Sequence, residues 1–379
     1  MKLSKKFECC LLLAVIVTVL PSCTPKDKIP DTPPEIDGLS FVERVQNTYA
    51  THFAIDRYTE DFSMVHTAEG VSYLLVPKNR KVPENLNTDI KILNTSVENV
   101  YMPATAVMGL FDALQCGKSV RFTGTKADGW SIDYPKQALE NGDMLYAGKY
   151  SQPDYELLLS ENCKLAIEST MIEHTPDVRE KLEELGITVF TDYSSYENHP
   201  LGRCEWIKVY GEMLNQKEQA DTLFTAQTEK VSRIRNTATH KTVAYFYINN
   251  RGQAVTRKTD DYISKMIEMA GGENIFKNLQ SETFSSVTMD METFYATAKN
   301  ADILIYNSTT SGEIDSIDDL LVKSSLFKQF KAVKEKQVWC THSNLYQESM
   351  KIGDIITDFN HIFTDTAKDN PPKFLYPLD

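Results

Sequence analysis

The chain has 379 residues, 41% of them hydrophobic and 25% charged, and a formal net charge of −13. This length and composition predict a globular protein with two domains or one bilobed unit. The acidic balance argues against nucleic acid as a partner and against broad contact with anionic lipid, because both are also negatively charged.

Residues 1–22 have the pattern of a bacterial lipoprotein signal peptide. Three lysines precede an uncharged apolar run, residues 11–20, which is too short to cross a membrane comfortably and ends just before Cys23. We therefore expect export, lipidation of Cys23, and anchoring to the bacterial cell envelope at the periplasmic or outer face of a membrane. A plain secretory signal without lipid is the alternative, and Pro21 departs from the commonest cleavage pattern.

Residues 23–37 are expected to be a flexible tether, since prolines alternate there with charged residues and leave little apolar surface to bury. Beyond it, four cysteines stand at wide, irregular spacing without a Cys-x-x-Cys pair. This spacing predicts separate buried thiols rather than a zinc site or a disulfide framework. The four are Cys116, Cys163, Cys204 and Cys340.

The folded part begins with an alternating segment, residues 61–77, that predicts a hairpin or meander. From residue 89 onward, short apolar runs alternate with helical segments, which predicts parallel sheets covered by helices. The expected strands are residues 90–93, 120–123, 165–167, 187–190, 242–248, 302–306 and 338–340. The expected helices are residues 105–114, 155–160, 175–185, 260–269 and 351–363, and the tail 370–379 is expected to be irregular.

Residues 203–239 show helical periodicity with apolar residues at three- and four-residue spacing. At about 1.5 Å per residue, one continuous helix here would run about 50 Å, which exceeds a small domain. We expect a strut between an N-terminal lobe, residues 38–202, and a C-terminal lobe, residues 240–379. The predicted fold class is α/β, with two Rossmann-like lobes of mostly parallel sheets joined by one long backbone helix.

Glu156 and Glu292 occupy equivalent places in a weak internal repeat. Each stands at the start of a short helical run, eleven residues before an isoleucine of the next strand, Ile167 and Ile303 respectively. Acidic residues favour helix N-termini in general, so either glutamate alone carries little meaning. The shared spacing favours a matched pair of exposed carboxylates, one in each lobe.

Three segments carry a resemblance to a known family: GITVF at residues 186–190, ENHPLGRCEWIK at 197–208, and GGENIF at 271–276. On these, the chain resembles the lipoprotein substrate-binding components of ABC importers for iron chelates, haem and cobalamin, over roughly residues 89–363. The resemblance implies a ligand held between two lobes and delivered to a permease and its ATPase. It also implies that Glu156 and Glu292 dock onto arginines of the permease.

Ligands of open α/β sheets bind at the loops beyond the carboxyl ends of the strands. In this chain those loops are rich in aromatic, hydroxyl and arginine side chains, which suit a bulky, flat or partly anionic ligand. We expect a ferric siderophore, with cobalamin or haem as alternatives, no intrinsic cofactor, and a monomeric protein. The candidate ligand contacts are Tyr101, Trp130, Met171, Tyr193, Tyr196, His199, Arg203, Arg251, Trp339 and Tyr346.

Other function classes find little support in the sequence. The seven histidines are scattered without His-x-His or His-x-x-x-His spacing, which argues against a site for a bare metal ion. The sequence contains no GxSxG, HExxH, P-loop or GxGxxG motif, so we expect no enzyme. A surface lipoprotein without a transport role would be expected to show tandem repeats or β-sandwich patterning, which are absent.

Overall fold

The computed structural model describes residues 29–234, 238–279 and 285–379, so the signal peptide and Cys23 lie outside the described residues. None of the helices in these ranges is long and apolar enough to cross a membrane. The strands are β1 (Phe41–Arg44), β2 (Phe53–Tyr58), β3 (Ser63–Thr67), β4 (Ser72–Val76), β5 (Ile90–Asn94), β6 (Val100–Met102), β7 (Val120–Thr123), β8 (Leu145–Tyr146), β9 (Gly148–Lys149), β10 (Gln152–Pro153), β11 (Leu165–Ser169), β12 (Thr188–Asp192), β13 (Thr242–Ile248), β14 (Ala254–Arg257), β15 (Glu273–Asn274), β16 (Ser286–Met289), β17 (Ile303–Tyr306), β18 (Val338–Thr341) and β19 (Leu375–Pro377). The helices are α1 (Thr105–Ala113), α2 (Asp133–Asn141), α3 (Tyr155–Ser160), α4 (Pro176–Glu184), α5 (Pro200–Glu205), α6 (Ile207–Met213), α7 (Lys217–Arg233), α8 (Tyr262–Met269), α9 (Met291–Ala298), α10 (Ser308–Ser311), α11 (Ile317–Lys323), α12 (Lys331–Lys334) and α13 (Ile352–Phe363).

An N-terminal sheet with the order β1-β2-β3-β4-β5 precedes the first lobe's parallel sheet. The meander expected at residues 61–77 is confirmed as β3 and β4, which pair antiparallel. The expectation of a buried lobe strand at residues 90–93 is wrong. That segment is β5, an edge strand that pairs in parallel with β4, and within it only Leu93 is buried. Polar residues alternate with the isoleucines of β5, which suits an edge.

The N-terminal lobe is built on the sheet β12-β11-β6-β7-β8, in which all neighbouring strands are parallel. The C-terminal lobe is built on the sheet β16-β14-β13-β17-β18-β19, with β15 paired to β13. The parallel pairs β13–β17 and β17–β18 form its centre. The two-lobe α/β fold class is thus confirmed.

The tail was expected to be irregular, but it contains β19, an antiparallel edge strand, where Pro377 is tolerated.

The connection between the lobes is helical but bent, so the prediction of one continuous helix over residues 203–239 is wrong. It consists of α5, α6 and α7 in series. Asn215 adopts a left-handed conformation with φ of 56°, which ends the run of α6. Helix α7 then packs closely on α6, because a Cβ atom added at Gly211 would lie 2.6 Å from the Cβ of Ala220.

One hydrophobic core runs through both lobes and the helical connection. The same cluster of buried side chains contains Phe190 of the first lobe, Trp206 and Tyr210 of the connection, and Ile305 and Phe359 of the second lobe. Since protein interiors are close-packed, such a shared core resists large rotations of one lobe against the other. The fold therefore favours modest rather than wide closure.

The side chain of Glu205, at the end of α5, binds the backbone of a loop that is distant in sequence, residues 48–50. Its buried carboxylate accepts hydrogen bonds from the backbone N–H groups of Thr48 at 2.8 Å, Tyr49 at 2.7 Å and Ala50 at 2.8 Å. Lys208 donates a further hydrogen bond at 2.8 Å. A carboxylate with several donors is a strong acceptor, so Glu205 ties the loop before β2 to the inter-lobe connection.

Glu197 binds the next part of the same loop. It accepts from the backbone N–H groups of Thr51 and His52 at 2.9 Å and from the indole nitrogen of Trp206 at 3.0 Å. Burial opposes ionisation, but the hydrogen bonds from His52, Trp206 and Thr51 outweigh it and lower the pKa of Glu197. The carboxylate therefore stays charged inside the protein.

Glu212, in α6, binds the N-terminal sheet itself. Its buried carboxylate accepts from Arg57 Nε at 2.7 Å and from Ser63 Oγ at 2.7 Å, and Lys217 Nζ lies 3.2 Å away. Glu197, Glu205 and Glu212, called the glutamate clamp below, thus fix the N-terminal sheet and the loop between β1 and β2 to the connection between the lobes.

The last part of the expected tether is held in place. Arg44 forms two hydrogen bonds with Asp56, at 2.6 and 2.8 Å, and also donates to the carbonyl oxygen of Pro30 at 2.8 Å. The hydroxyl of Tyr58 donates to the carbonyl oxygen of Pro34 at 2.7 Å. Residues 30–34, which the sequence assigns to a flexible segment, are therefore fixed to the N-terminal sheet.

Glu168, in β11, is a buried carboxyl group without a partner. Neither of its oxygens, nor the hydroxyl of Thr191 opposite it on β12, has a hydrogen-bond partner among the described residues. Burial raises the pKa of Glu168 from its ordinary value of 4.5 to about 8. At neutral pH this group is therefore mainly protonated.

Replacing Glu205 with alanine is expected to lower the free energy of unfolding by about 3 kcal/mol or more, because three N–H groups lose their acceptor. Urea unfolding followed by circular dichroism measures this change. Glu218→Ala removes an exposed carboxylate from the first turn of α7 and is the matched control, expected to shift stability by less than about 0.5 kcal/mol. Equal losses in both variants would contradict the role assigned to Glu205.

The pKa of Glu168 predicts a specific pH dependence. The folded protein binds a proton at Glu168 up to about pH 8, whereas the unfolded chain releases it near 4.5, so wild-type stability is lost as the pH rises through that window. Glu168→Gln should remove this loss and gain on the order of 5 kcal/mol over wild type at pH 8.5, with little gain at pH 4. Urea unfolding at both pH values tests this, with exposed Glu180→Gln as control. A gain independent of pH would refute it.

Candidate ligand-binding site

A cavity of about 240 Å³ lies between the two lobes. Its N-terminal wall includes Thr105, which follows β6, and Ser195, which follows β12. Its C-terminal wall includes Tyr262 of α8 and Tyr346, which follows β18. Loops at the carboxyl ends of parallel strands therefore meet across the cavity, as expected for a ligand site in this fold class.

Arg203 crosses the cavity from the inter-lobe connection. Its guanidinium carbon lies 3.6 Å from the centre of the Tyr262 ring, a stacked cation–π contact. One of its terminal nitrogens donates to the carbonyl oxygen of Ser195 at 2.6 Å. A cation is thus positioned in the cavity by one lobe and covered by an aromatic ring of the other.

The hydroxyl of Tyr346 lies at the centre of a cluster of polar side chains on the C-terminal wall of the cavity. Arg257 donates to it at 2.5 Å and the amide of Asn307 at 3.3 Å, and the hydroxyl of Tyr245 lies 3.4 Å away. Burial opposes the charge of Arg257, but the nearby Tyr346 and Asp261 outweigh it and raise its pKa. Arg257 therefore remains a cation at the base of the cleft.

Of the residues predicted from sequence, Arg203 and Tyr346 line the inter-lobe cavity. Met171 and Tyr196 follow β11 and β12 at the same edge of the sheet and are 45% and 55% exposed. Tyr193 is nearly buried, and its hydroxyl donates to Glu173 while its ring contacts that of Tyr196 edge-on. These three form an aromatic and sulfur-containing rim on the N-terminal lobe.

Eight of the ten predicted contacts do not line the inter-lobe cavity. Besides Met171, Tyr193, Tyr196 and His199, four lie elsewhere in the fold. Tyr101 and Trp130 are core residues that donate to the carbonyl oxygens of Gly148 and Thr125, respectively. Trp339 lines a separate cavity of about 810 Å³ beside α13 and β19. Arg251 is exposed in the turn between β13 and β14. Tyr101 and Trp339 lie within β6 and β18 rather than in the loops that follow these strands and line the cavity.

His199 has a local structural partner as well. Its Nδ1 atom accepts from the backbone N–H of Leu201 at the start of α5, and its ring stacks on Tyr49 at 4.3 Å. Burial and the nearby Lys265 lower its pKa. His199 is therefore neutral at pH 7, with its proton on Nε2, and caps the helix that carries Arg203.

Sequence reasoning missed Arg257 and Tyr262 as site residues. Arg257 comes from β14, a strand that runs back from a hairpin and that the sequence pattern did not reveal. Asn307 begins the loop 307–309, which the sequence marks as a candidate cleft loop because it follows a predicted strand, and the structure places its amide beside the Tyr346 hydroxyl. Within the described residues, no group of three or more His, Cys, Asp or Glu side chains could hold a metal ion, and the four cysteines are free.

Glu156 and Glu292 have the same local geometry in the two lobes. Each is the second residue of a short helix, α3 or α9, and each side chain is exposed. Each follows an aspartate cap: Asp154 accepts from the N–H of Leu157 at 3.0 Å, and Asp290 from that of Thr293 at 2.7 Å. Within the described ranges, no hydrogen bond or ion pair occupies either glutamate carboxylate. Both are therefore available on the surface.

Comparisons with known proteins agree with this architecture. An uncharacterized lipoprotein of Methanocaldococcus jannaschii is 26% identical over 315 residues, covering 79% of this chain and 74% of its own length. The haem-binding protein HutB of Vibrio cholerae superimposes with a TM-score of 0.56 and 14% identity, over 68% of this chain and 96% of its own. The vitamin B12 binding protein BtuF of Vibrio cholerae gives 0.52 and 16%, over 72% and 99%. These two structures show the same fold.

The family model described as periplasmic binding protein matches residues 105–345, which is more than half of the chain. Its match runs from α1 of the N-terminal lobe, through the helical connection, to the segment beside Tyr346. Family and structural neighbours are substrate-binding proteins rather than enzymes. The chain belongs to the periplasmic binding protein family.

Proposed function

We propose that this protein is the lipid-anchored substrate-binding component of an ABC importer, and that it captures an iron chelate, a ferric siderophore, between its lobes. The observation that carries the proposal is the pair of arginines in the cleft, Arg203 and Arg257, each beside an aromatic ring. Arginine binds carboxylate or catecholate oxygens through paired hydrogen bonds, and aromatic rings accept the flat faces of a chelate.

The charge of the site favours an anionic chelate over a neutral ligand. Although the whole chain carries a net charge of −13, the cavity presents Arg203 and, behind Tyr346, Arg257. Asp261 lies 4.0 Å from Arg257 and offsets part of its charge, whereas the close described partners of Arg203 are carbonyl oxygens and the Tyr262 ring. A bound anion would therefore supply the negative partner that Arg203 lacks.

The cavity has to enlarge when a ligand binds. Its volume of about 240 Å³ is below the roughly 300–1,000 Å³ of typical small-molecule sites. The stacked contact between Arg203 and Tyr262 is the contact that spans the cavity, so a ligand that separates the pair would gain both the space and a free guanidinium. A cation–π contact is worth about 0.5–2 kcal/mol, which a chelate with two ionic contacts can exceed.

Haem and cobalamin are the alternative cargoes, supported by the fold shared with HutB and BtuF. The residues around the cavity favour neither haem nor cobalamin. The side chains that line it include no histidine that could bind the metal of either cargo axially. The hydroxyl of Tyr346, which accepts a hydrogen bond from Arg257, would serve either a chelate oxygen or a haem iron.

Isothermal titration calorimetry with ferric catecholate, ferric hydroxamate, haemin and cyanocobalamin tests the cargo. We expect submicromolar binding of one ferric chelate, weakened about tenfold or more by Arg203→Gln and by Arg257→Gln, since each removes a charged hydrogen bond. Arg233→Gln, at the exposed end of α7, is the control and should leave the affinity unchanged. Binding of haemin or cyanocobalamin alone would replace the siderophore proposal, and no binding at all would reject this class of cargo.

Delivery to the permease is proposed to use Glu156 and Glu292. Their matched positions at the starts of α3 and α9 give each lobe one exposed, unpaired carboxylate suitable for an arginine of a partner. Lipidation of Cys23 is proposed to hold the protein at the membrane that contains the permease.

The double variant Glu156→Arg plus Glu292→Arg should abolish uptake while leaving ligand affinity unchanged, because like charges would then face the permease arginines. Uptake of the labelled ligand in cells that lack the native gene measures the first effect, and calorimetry the second. Glu140→Arg plus Glu268→Arg reverses one exposed carboxylate in each lobe elsewhere and is the control. Full uptake by the Glu156 and Glu292 double variant would show that the docking assignment is wrong.

A further inference from the structure

A short segment of the C-terminal lobe, residues 345–351, is bound directly to the N-terminal lobe and is called the strap here. The side chain of Gln347 makes two hydrogen bonds across the lobes. Its Nε2 atom donates to the carbonyl oxygen of Gly129 at 2.8 Å, and its Oε1 atom accepts from the backbone N–H of Ser131 at 2.8 Å. One amide group thus pairs with a backbone donor and a backbone acceptor, which fixes both its position and its orientation.

The rest of the strap lies tightly against helix α1. The hydroxyl of Ser349 donates to the carbonyl oxygen of Ala106 at 2.7 Å. At Gly109, an added Cβ atom would lie 2.4 Å from the backbone oxygen of Gln347 and 3.2 Å from the backbone nitrogen of Ser349. The backbones of the two lobes approach here more closely than any residue with a side chain would allow.

The strap also carries part of the ligand cleft. Tyr346 precedes Gln347 in the chain, and Leu345, Tyr346 and Ser349 line the inter-lobe cavity. Tyr346, which lines the cleft, and Gln347, which makes the contact between the lobes, are therefore consecutive residues. A change in the position of Gln347 relative to Gly129 moves the hydroxyl of Tyr346, and with it the hydrogen bond from Arg257.

We propose that Gln347 is the positioning residue that fixes the angle between the lobes and so preorganises the cleft around Tyr346. The effect on ligand binding rests on the proposed function, but the effect on the lobe angle does not. Preorganisation lowers the cost of ordering the site when the ligand arrives, so it acts mainly on the lifetime of the complex. The shared core sets how far the lobes can move, and the strap selects one position within that range.

Double electron–electron resonance on the ligand-free protein tests the lobe angle. Spin labels are placed at Lys136→Cys in α2 and Lys334→Cys in α12, with Cys116→Ser to remove the partly exposed thiol. The parent protein should give one narrow distance distribution. Gln347→Ala should broaden it towards longer distances, and Gly109→Ala should do the same by pushing the strap away from α1. Gln329→Ala, which removes a hydrogen bond inside one lobe, is the control and should change nothing.

Gln347→Glu adds a readout that a purely structural loss would not show. Its carboxylate lacks the donor for Gly129 and repels that carbonyl oxygen, so the distribution should be broad at pH 7. Protonation near the ordinary glutamate pKa of about 4.3 restores the donor, so the distribution should narrow at pH 4. The parent protein is measured at both pH values for comparison.

If one of the four probes binds in calorimetry, stopped-flow dissociation of that probe should be about tenfold faster from Gln347→Ala than from the parent protein. Unchanged distance distributions in Gln347→Ala and Gly109→Ala would overturn the proposal, as would equal broadening in Gln329→Ala. If the distributions change as expected but none of the probes binds, the strap stands and the proposed cargo fails.

Discussion

The glutamate clamp is the interaction on which the rest of the structure depends. Glu197, Glu205 and Glu212 are buried carboxylates on or next to the inter-lobe connection, and each binds donors of the N-terminal sheet or of the loop between β1 and β2. A buried charge is costly unless its hydrogen-bonding capacity is filled, so these contacts must all form together. The same segment carries Arg203, which means that the clamp also sets where the cleft cation stands.

The cleft combines this fixed cation with a second, deeper one from the other lobe. Arg203 is oriented by carbonyl oxygens on its own side and covered by Tyr262, while Arg257 is held against Tyr346. Arg257 also has Asp261 as a carboxylate neighbour at 4.0 Å, whereas no ion pair with a carboxylate is present for Arg203 among the described residues. Two features, the core shared by the lobes and the strap, then restrict how far apart the two arginines can lie.

Much of the fold could be predicted from local pattern, because apolar runs bounded by turn residues define their own ends. The strands at residues 120–123 and 242–248 and the helix at 155–160 agree with the structure to the residue. The break in the inter-lobe helix could not be predicted, since Asn215 is compatible with a helix and only the packing of α7 on α6 selects its left-handed conformation.

The candidate site was less predictable, because it depends on which face a strand residue occupies and on contacts between distant segments. Arg203 and Tyr346 were identified from loop position, whereas Tyr101 occurs at the right strand but on its covered face. Arg257 meets Tyr346 across 89 residues of sequence, which no local pattern encodes. The roles of Glu197 and Glu205 likewise depend on a loop about 150 residues earlier.

The fixed position of residues 30–34 would determine how far the folded protein could reach from a lipid anchor at Cys23, if Cys23 is lipidated as proposed. Because Pro30 is bound by Arg44, six residues, 24–29, would separate a lipidated Cys23 from the folded body, and the two ends of this segment can be at most about 25 Å apart. The folded body would then stay within a thin layer next to the membrane rather than diffuse freely through the solution around it. Such confinement raises its effective concentration at a permease in the same membrane, so that delivery need not rely on tight docking.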